Sequence, residues 1–323
     1  MIKVRDLAKT FRSRKNTVEA VRGVDIDVAE GELVGFLGPN GAGKSTTLRM
    51  LSTLLRPTSG VAMVAGCDLL DDPAGVRRRI GYVGQGNGAG GDQRVGEELM
   101  TQAQLYGIDR RQARLRVEEL LGQYDLTGME TRTVSTLSGG QRRRLDIVMG
   151  VLHRPQLVFL DEPSTALDPQ SRSNLWDHIR SLRDLHSTTV FLTTHYLDEV
   201  DALCERILVI DGGRIITEGT PDGLKSEVSG DLLVLETSDP SSTAATAERL
   251  PGAREITVDG STVRFRVPLG GSVLPGLLRE LDRNQISVMS VQTHRPTLDD
   301  VFLTLTGRSL RDTDADSTDE QGE

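Results

Sequence analysis

Residues 31–55 read GELVGFLGPNGAGKSTTLRMLSTLL. Leu33 to Leu37 is a short apolar run that ends in Gly38, the pattern of a strand buried on both faces of a parallel sheet. Leu48, Leu51 and Leu55 then recur at helical spacing. Between the two segments lies G-x-x-x-x-G-K-S, from Gly38 to Ser45, in the strand–loop–helix context that a phosphate-binding loop needs. The glycines let backbone N–H groups wrap phosphate oxygens. Lys44 is placed to reach the β- and γ-phosphates, and the Ser45 hydroxyl to bind Mg2+. Of the 38 basic residues, only Lys3, Lys9, Lys15, Lys44 and Lys225 are lysine. One of them stands at 44, where a compact ammonium fits and a forked guanidinium does not.

Two further strands carry chemistry at their ends. In QLVFLDEP (156–163), Leu157 to Leu160 reads as a buried strand followed by two carboxylates. Ligands gather at the carboxyl ends of strands in doubly wound sheets. Successive strand side chains point to opposite faces, so Asp161 and Glu162 take different tasks. Asp161 suits a Mg2+ shell, and Glu162 suits the general base that takes a proton from an attacking water. In TTVFLTTHY (188–196), a β-rich run ends at His195. One helix-length segment separates it from the DE strand, so a neighbouring parallel strand would bring His195 beside the γ-phosphate.

Residues 136–144, TLSGGQRRR, offer a second anion site. Ser138, Gly139, Gly140 and Gln141 start an amphipathic helix whose apolar stripe is Leu145, Val148, Met149 and Leu152. Arg142–Arg144 and Asp146 lie largely off that stripe. The free N–H groups and positive dipole of a helix N-terminus attract phosphate. One cassette has no second nucleotide to fill such a site, so the economical occupant is the nucleotide of another subunit.

Composition limits the alternatives. A chain of 323 residues can hold a large core and two domains. The net charge of −9 and the short basic runs Arg77–Arg79 and Arg142–Arg144, read as solvated helix faces, argue against a nucleic-acid partner. No apolar run approaches the ~18 residues that cross a bilayer, and the N-terminus lacks a signal-peptide pattern. Cys67 and Cys204 read as buried small apolar residues rather than as a disulfide or metal pair.

Taken together, the motifs closely resemble those of the ATP-binding subunits of ABC transporters, over about residues 1–225. GPNGAGKST resembles the family's Walker A motif, from Gly38 through Pro39, Asn40, Gly41, Ala42, Gly43, Lys44 and Ser45 to Thr46. LSGGQ resembles the signature motif and LVFLDEP resembles Walker B. STALD (164–168) is similar to the D-loop, His195 to the switch histidine, and Gln85 to the Q-loop glutamine. Phe11 stands where the family has an adenine-stacking aromatic, without the hydroxyl of the usual tyrosine. The glycine-rich GQGNGAGGDQRVGEE after Gln85 departs from the family pattern where a membrane subunit is contacted.

The resemblance implies a P-loop NTPase α/β fold with a helical subdomain at about 86–150, ATP and Mg2+ as ligands, and Glu162, His195, Gln85 and Asp168 as catalytic residues. Ser45, Gln85 and Asp161 would serve the metal. It also implies a head-to-tail dimer in which each ATP lies between one copy's Walker A and the other's signature motif. That dimer would sit at the cytoplasmic face of the membrane and drive a separately encoded permease. A soluble ABC ATPase acting on DNA or ribosomes is the alternative, and a non-hydrolysing ABC-like interaction module is a further one.

IDGGRIITEGTP (210–221) resembles the family's cassette ending, a hairpin around Asp211-Gly212-Gly213. Beyond it, strands at 231–237, 254–260, 261–268 and 286–293 and helices at 241–250 and 274–284 make a β-α-β-β-α-β order. That predicts a small α+β ferredoxin-like domain at 230–307. It closes with a helix at 296–307 whose stripe is Val301, Phe302 and Leu305. This extension resembles the C-terminal domain of daunorubicin-resistance-type drug exporters, which implies export of drug-like or lipid-like molecules. Residues 308–323 are polar and acidic and read as a disordered tail.

Overall fold

The apolar run at 33–37 becomes the central strand of the larger sheet, and the rest of the first unit is arranged around it. The structure is a computed structural model and describes residues 1–13, 16–86, 88–228, 230–268 and 270–307. The tail expected at 308–323 lies outside the described residues. The chain divides into two compact units, one ending at Gly219 and the next beginning at Thr220.

The first unit opens with β1 (Ile2–Arg12), β2 (Thr17–Val28), β3 (Leu33–Leu37) and α1 (Lys44–Leu51). Then come β4 (Ser59–Val64), β5 (Cys67–Asp68), α2 (Pro73–Arg79) and β6 (Ile80–Val83). The helical insertion holds α3 (Val95–Leu105), α4 (Arg110–Gln123), a 3-10 turn at Val134–Thr136 and α5 (Gly139–Val151). The unit ends with β7 (Leu157–Asp161), α6 (Pro169–His186), β8 (Thr189–Thr194), α7 (Leu197–Leu203), β9 (Arg206–Asp211) and β10 (Arg214–Gly219).

Two sheets organise these elements. One is antiparallel in the order β2-β1-β4-β5, and the other runs β10-β9-β3-β8-β7-β6. In the second, β9, β3, β8, β7 and β6 are parallel, and β10 returns antiparallel as the expected hairpin. Gly212 and Gly213 both take positive φ, 52° and 80°, as a tight two-residue hairpin requires. Strands β3, β7 and β8 are buried along their whole length, which explains their mostly apolar sequences. Phe36, Phe159 and Phe191 interlock in this core, with ring centroids 5.5 and 5.9 Å apart. Cys67 and Cys204 are buried and unbridged, as their sequence context indicates.

One helix is shorter than its apolar spacing suggests. α1 stops at Leu51, and Thr53 takes a left-handed φ of 66°, so Leu55 lies beyond the helix. Apolar recurrence continues past the point where the backbone turns.

The second unit contains α8 (Pro221–Val228), β11 (Asp231–Thr237), α9 (Pro240–Ala247), β12 (Arg254–Asp259), β13 (Thr262–Val267), α10 (Gly270–Arg283), β14 (Val288–His294) and α11 (Leu298–Thr306). Its sheet order is β12-β13-β11-β14, antiparallel throughout, which is the expected ferredoxin-like arrangement. α8 packs on α11 and so belongs to this unit, which moves the division earlier than 225. The stripe on α11 is also corrected. Leu298, Val301 and Phe302 are buried, whereas Leu305 is 46% exposed. Leu305 lies four residues past Val301 but at the frayed end of a nine-residue helix.

Leu233, Leu235, Val263, Phe265, Leu277 and Leu281 form the second unit's own core. Phe265 is fully buried there. Phe265→Ala should therefore destabilise this unit by about 3–5 kcal/mol, as large-to-small core changes do. Urea unfolding of the full chain should show a transition moved to lower denaturant. An unchanged profile would contradict this core.

Candidate active site

Four strand ends place the site. Because β3, β8, β7 and β6 are adjacent and parallel, their carboxyl ends share one edge of the sheet. The Gly38–Ser45 loop leaves β3, Gln85 follows β6, Asp161 and Glu162 end β7, and His195 follows β8. This is the edge where ligands bind in open α/β sheets.

The loop has the backbone that its glycines allow. Gly43 caps α1 with φ 105°, and a Cβ there would meet the carbonyl oxygen of Ala20 at 2.5 Å. At Gly38 a Cβ would stand 2.2 Å from the carbonyl oxygen of Ile210. Lys44 is 5% exposed, and its ammonium donates to the carbonyls of Gly38 at 2.7 Å and Pro39 at 3.0 Å. Pro39, Ala42 and Gly43 are buried, Asn40 and Gly41 are exposed at the tip, and Ser45 and Thr46 are half-buried at the start of α1.

Asp161 and Glu162 separate as strand alternation demands. Asp161 Oδ1 accepts from Ser45 Oγ at 3.0 Å and from Thr193 Oγ1 at 2.6 Å. This is an oxygen-only cluster of the kind hard divalent cations take. Among the described residues, no group of three or more His, Cys, Asp or Glu side chains is placed to hold a metal by itself.

Glu162 faces the other way. Its Oε1 lies 3.4 Å from Lys44 Nζ and 3.4 Å from His195 Nδ1. Its Oε2 accepts from Gln85 Nε2 at 3.0 Å and from Thr165 Oγ1 at 3.3 Å. Burial raises the Glu162 pKa, but the His195 hydrogen bond and the Lys44 charge outweigh it. The carboxyl is held below its ordinary range and stays ionised. Glu162 also carries a left-handed φ of 46°. Such a residue stores roughly 1–3 kcal/mol of backbone strain and is held by its surroundings. Here the Glu162 N–H donates to Thr193 O at 3.0 Å and Thr193 Oγ1 at 3.1 Å.

The remaining expected residues lie apart from this cluster. Ser138 and Gln141 form a capping box on α5. Ser138 Oγ accepts from Gln141 N at 3.3 Å, and Gln141 Oε1 accepts from Ser138 N at 3.0 Å. Ser138 and Gly139 are exposed, whereas Gly140 is buried, and a Cβ on it would meet Ser171 Oγ at 2.9 Å. Asp168 is exposed and caps α6, accepting from Ser171 N at 2.9 Å and Ser171 Oγ at 2.6 Å. Phe11 is 43% exposed near the end of β1, with Lys9 Nζ 5.2 Å from its ring centroid. Within the one chain, then, Asp168, Phe11 and the signature residues do not join Glu162.

Two buried ionic groups beside the cluster were not foreseen. The reading of Arg142–Arg144 as a solvated helix face fails most clearly at Arg143, and Asp146, off the apolar stripe, is buried as well. Arg143 and Asp146 are 8% and 5% exposed, because their partners are polar groups at the ends of β6 and β7. The other is Glu199 on α7, fully buried, which accepts from Trp176 Nε1 at 3.2 Å. No sequence signal separates these from other charged residues on helices.

Known proteins bear out the resemblance. The ABC transporter family profile matches residues 21–165, and that of the DrrA1-3-like ATP-binding protein C-terminal domain matches 219–306. The daunorubicin/doxorubicin resistance ATP-binding protein DrrA of Streptomyces peucetius is 44% identical, covering 95% of this chain and 93% of its own. The doxorubicin resistance ATP-binding protein DrrA of Mycobacterium tuberculosis is 41% identical over 94% and 92% of the two chains. The linearmycin resistance ATP-binding protein LnrL of Bacillus subtilis is 34% identical over 97% and 100%. Among solved structures, a dimeric post-hydrolysis state of an ATP-binding cassette bound to ADP and phosphate superposes with a TM-score of 0.63. It is 25% identical and covers 68% of this chain and 98% of its own.

Fold and site thus define a P-loop ATPase of the ABC type. The chain belongs to the family of ABC transporter ATP-binding subunits, in its DrrA-like branch. It binds and hydrolyses ATP as that family does.

Glu199 generates a pH prediction. Burial raises its pKa, against hydrogen bonds from Thr194, Ser164 and Trp176. A carboxyl with a raised folded pKa stabilises the protein below its unfolded value, about 4.3. That contribution is lost as pH rises through the folded value. Glu199→Gln does not titrate, so the wild-type melting temperature should fall relative to the variant as pH rises from 5 to 8. A pH-independent difference would contradict titration of Glu199 within this range.

Proposed function

We propose that this subunit works as a pair of copies closing head-to-tail on two ATP molecules, and that closure drives a membrane permease. The observation that carries the reading is the convergence of Lys44, Gln85, His195 and Thr165 on the buried Glu162 carboxylate. Such a carboxylate, ionised and aimed from a strand end, suits the acceptance of a proton from an attacking water. Lys44, with the Gly38–Thr46 backbone, would hold the β- and γ-phosphates, and Phe11 would stack on adenine.

Ser45 and Asp161 fit Mg2+ through their paired oxygen atoms, whereas Gln85, the third expected ligand, is hydrogen-bonded to Glu162. Bound there, the ion would neutralise phosphate charge and orient the β- and γ-phosphates. Gln85 and His195 orient Glu162 and the water from two sides. Ser138, Gly139, Gly140 and Gln141 would complete the other copy's site, with Asp168 contributing across the same interface. The exposure of Ser138 and Gly139 and the dimeric state of the similar cassettes support this.

No helix among the described residues is long and apolar enough to cross a membrane. The match to the ABC transporter family and to resistance ATP-binding proteins supports a separately encoded permease at the cytoplasmic membrane face as the partner. The resistance proteins among the relatives support export of drug-like or lipid-like molecules.

Three variants test the reading. Glu162→Gln should keep MgATP affinity while turnover falls roughly 10²–10⁴-fold. Near-normal turnover would remove Glu162 as the base. Lys44→Ala should lose nucleotide affinity in calorimetry. Mixing Lys44→Ala with Ser138→Arg should restore part of the ATPase activity, because one composite site of the mixed dimer then carries both intact motifs. No recovery from two folded, inactive variants would argue against the shared site.

A further inference from the structure

Arg143 lies on the first turns of α5, two residues after the signature motif, and is 8% exposed. A buried guanidinium is ordinarily matched by a carboxylate. Here the nearest carboxylate oxygen in an ion pair, Asp146 Oδ2, is 4.0 Å away. The hydrogen bonds go instead to three backbone carbonyls. Nε donates to Pro163 O at 2.8 Å, Nη1 to Gly84 O at 2.6 Å and Nη2 to Asp161 O at 3.1 Å. These carbonyls belong to the residues on either side of Glu162 and to the residue before Gln85. One planar fork therefore fixes the peptide that enters the strained Glu162, the peptide that leaves Pro163 just after it and the peptide that launches Gln85.

Asp146, one turn further along α5, holds the other side of the same loop. Its Oδ1 accepts from Gly88 N at 3.0 Å, and it also accepts from the N–H of Ala89. Gly88 packs against this carboxylate closely enough that a Cβ would stand 3.3 Å from Oδ1. The loop that carries Gln85 is thus gripped at Gly84 by Arg143 and at Gly88 and Ala89 by Asp146, both from α5. Gln85 in turn donates to Glu162 at 3.0 Å.

We infer that Arg143 and Asp146 are a positioning pair, which sets Glu162 and Gln85 in their reactive orientation and ties that orientation to the signature helix of the same chain. The inference rests on the proposed role of Glu162 as base. Neither side chain touches ATP. Their effect is on the placement of the two groups that act on the attacking water, so it falls on turnover rather than on nucleotide affinity. The guanidinium fork matters as much as its charge, because one ammonium cannot serve three carbonyls in three directions.

The test measures MgATP affinity, kcat, KM and melting temperature for the full-length chain carrying Arg143→Lys, Asp146→Asn or Glu162→Gln, and for the Glu162→Gln/Arg143→Lys double variant. Arg143→Lys should lower kcat at least tenfold, with MgATP affinity and KM within about threefold of wild type. Asp146→Asn is nearly isosteric and keeps the fold if Arg143→Lys does not. It should lower kcat about three- to tenfold with the same unchanged affinity. In the Glu162→Gln background, Arg143→Lys should remove little further activity, because the group it positions is already gone.

Normal kcat in both single variants would overturn the inference while leaving the base assignment intact, provided Glu162→Gln remains inactive. A loss of affinity equal to the loss of kcat, or full and independent losses in the double variant, would assign the pair a purely structural role. If Glu162→Gln itself turns over normally, the reading of the base fails first, and a kcat loss in Arg143→Lys would then trace to some group other than Glu162.

Discussion

The arrangement depends on one buried carboxylate. Taking an ionised carboxyl out of water costs several kcal/mol unless charges and donors return it. Glu162 is supplied by four residues from three strand ends and the turn that follows it. Each supplier must arrive at the right height on its strand. The pairing of Asp161 with Thr193 fixes β7 against β8. A slip of one residue would exchange the faces of Asp161 and Glu162 and bring Asp161 to Lys44. Burial of β3, β7 and β8 along their whole length, with no solvated face to tolerate a second register, guards against that slip. The core is thus the reason the site chemistry stays in place.

What was legible in the sequence follows from how each residue works. Lys44, Ser45, Asp161, Glu162 and His195 stand at the ends of short apolar strands, and a strand end can be read directly from the chain. The split-βαβ order of the second unit was legible for the same reason, since its strands alternate cleanly. Arg143 and Asp146 were not. Helical periodicity assigns a buried face from apolar residues, and on that rule both belong outside. Their burial is decided by backbone carbonyls and N–H groups on β6, β7 and the loop between β6 and α3. Those partners come from elsewhere in the chain and carry no side-chain signature. Leu305 and Leu55 show the opposite error, where apolar spacing outran the helix that was to bury them.

Glycine placement repeats the point at finer scale. Gly38 and Gly43 are needed because backbone carbonyls of Ile210 and Ala20 approach where a Cβ would stand. The phosphate loop is therefore shaped by strands that precede and follow it, as much as by its own sequence. Gly140 looks from sequence like part of an anion nest, yet its nearest neighbour is Ser171 at the start of α6. Asp168 caps that same helix through Ser171. The starts of α5 and α6 are in this way closely packed against each other inside one chain.

That packing bears on how two copies could share a site. Gly140 faces inward to α6, Arg143 reaches the Glu162 turn and Asp146 holds the Gln85 loop, while Ser138 and Gly139 stay exposed. The first two turns of α5 therefore have an outward face, where the proposed second nucleotide would bind, and an inward face bonded to the residues on either side of Glu162. Rigid seating of the inward face would spare the outward N–H groups reorganisation if a phosphate binds there as proposed. Preorganised donors of this kind stabilise charge more strongly than mobile ones. A loose α5 would weaken both faces together, which gives a physical reason for the signature residues and the buried Arg143–Asp146 pair to lie on one helix.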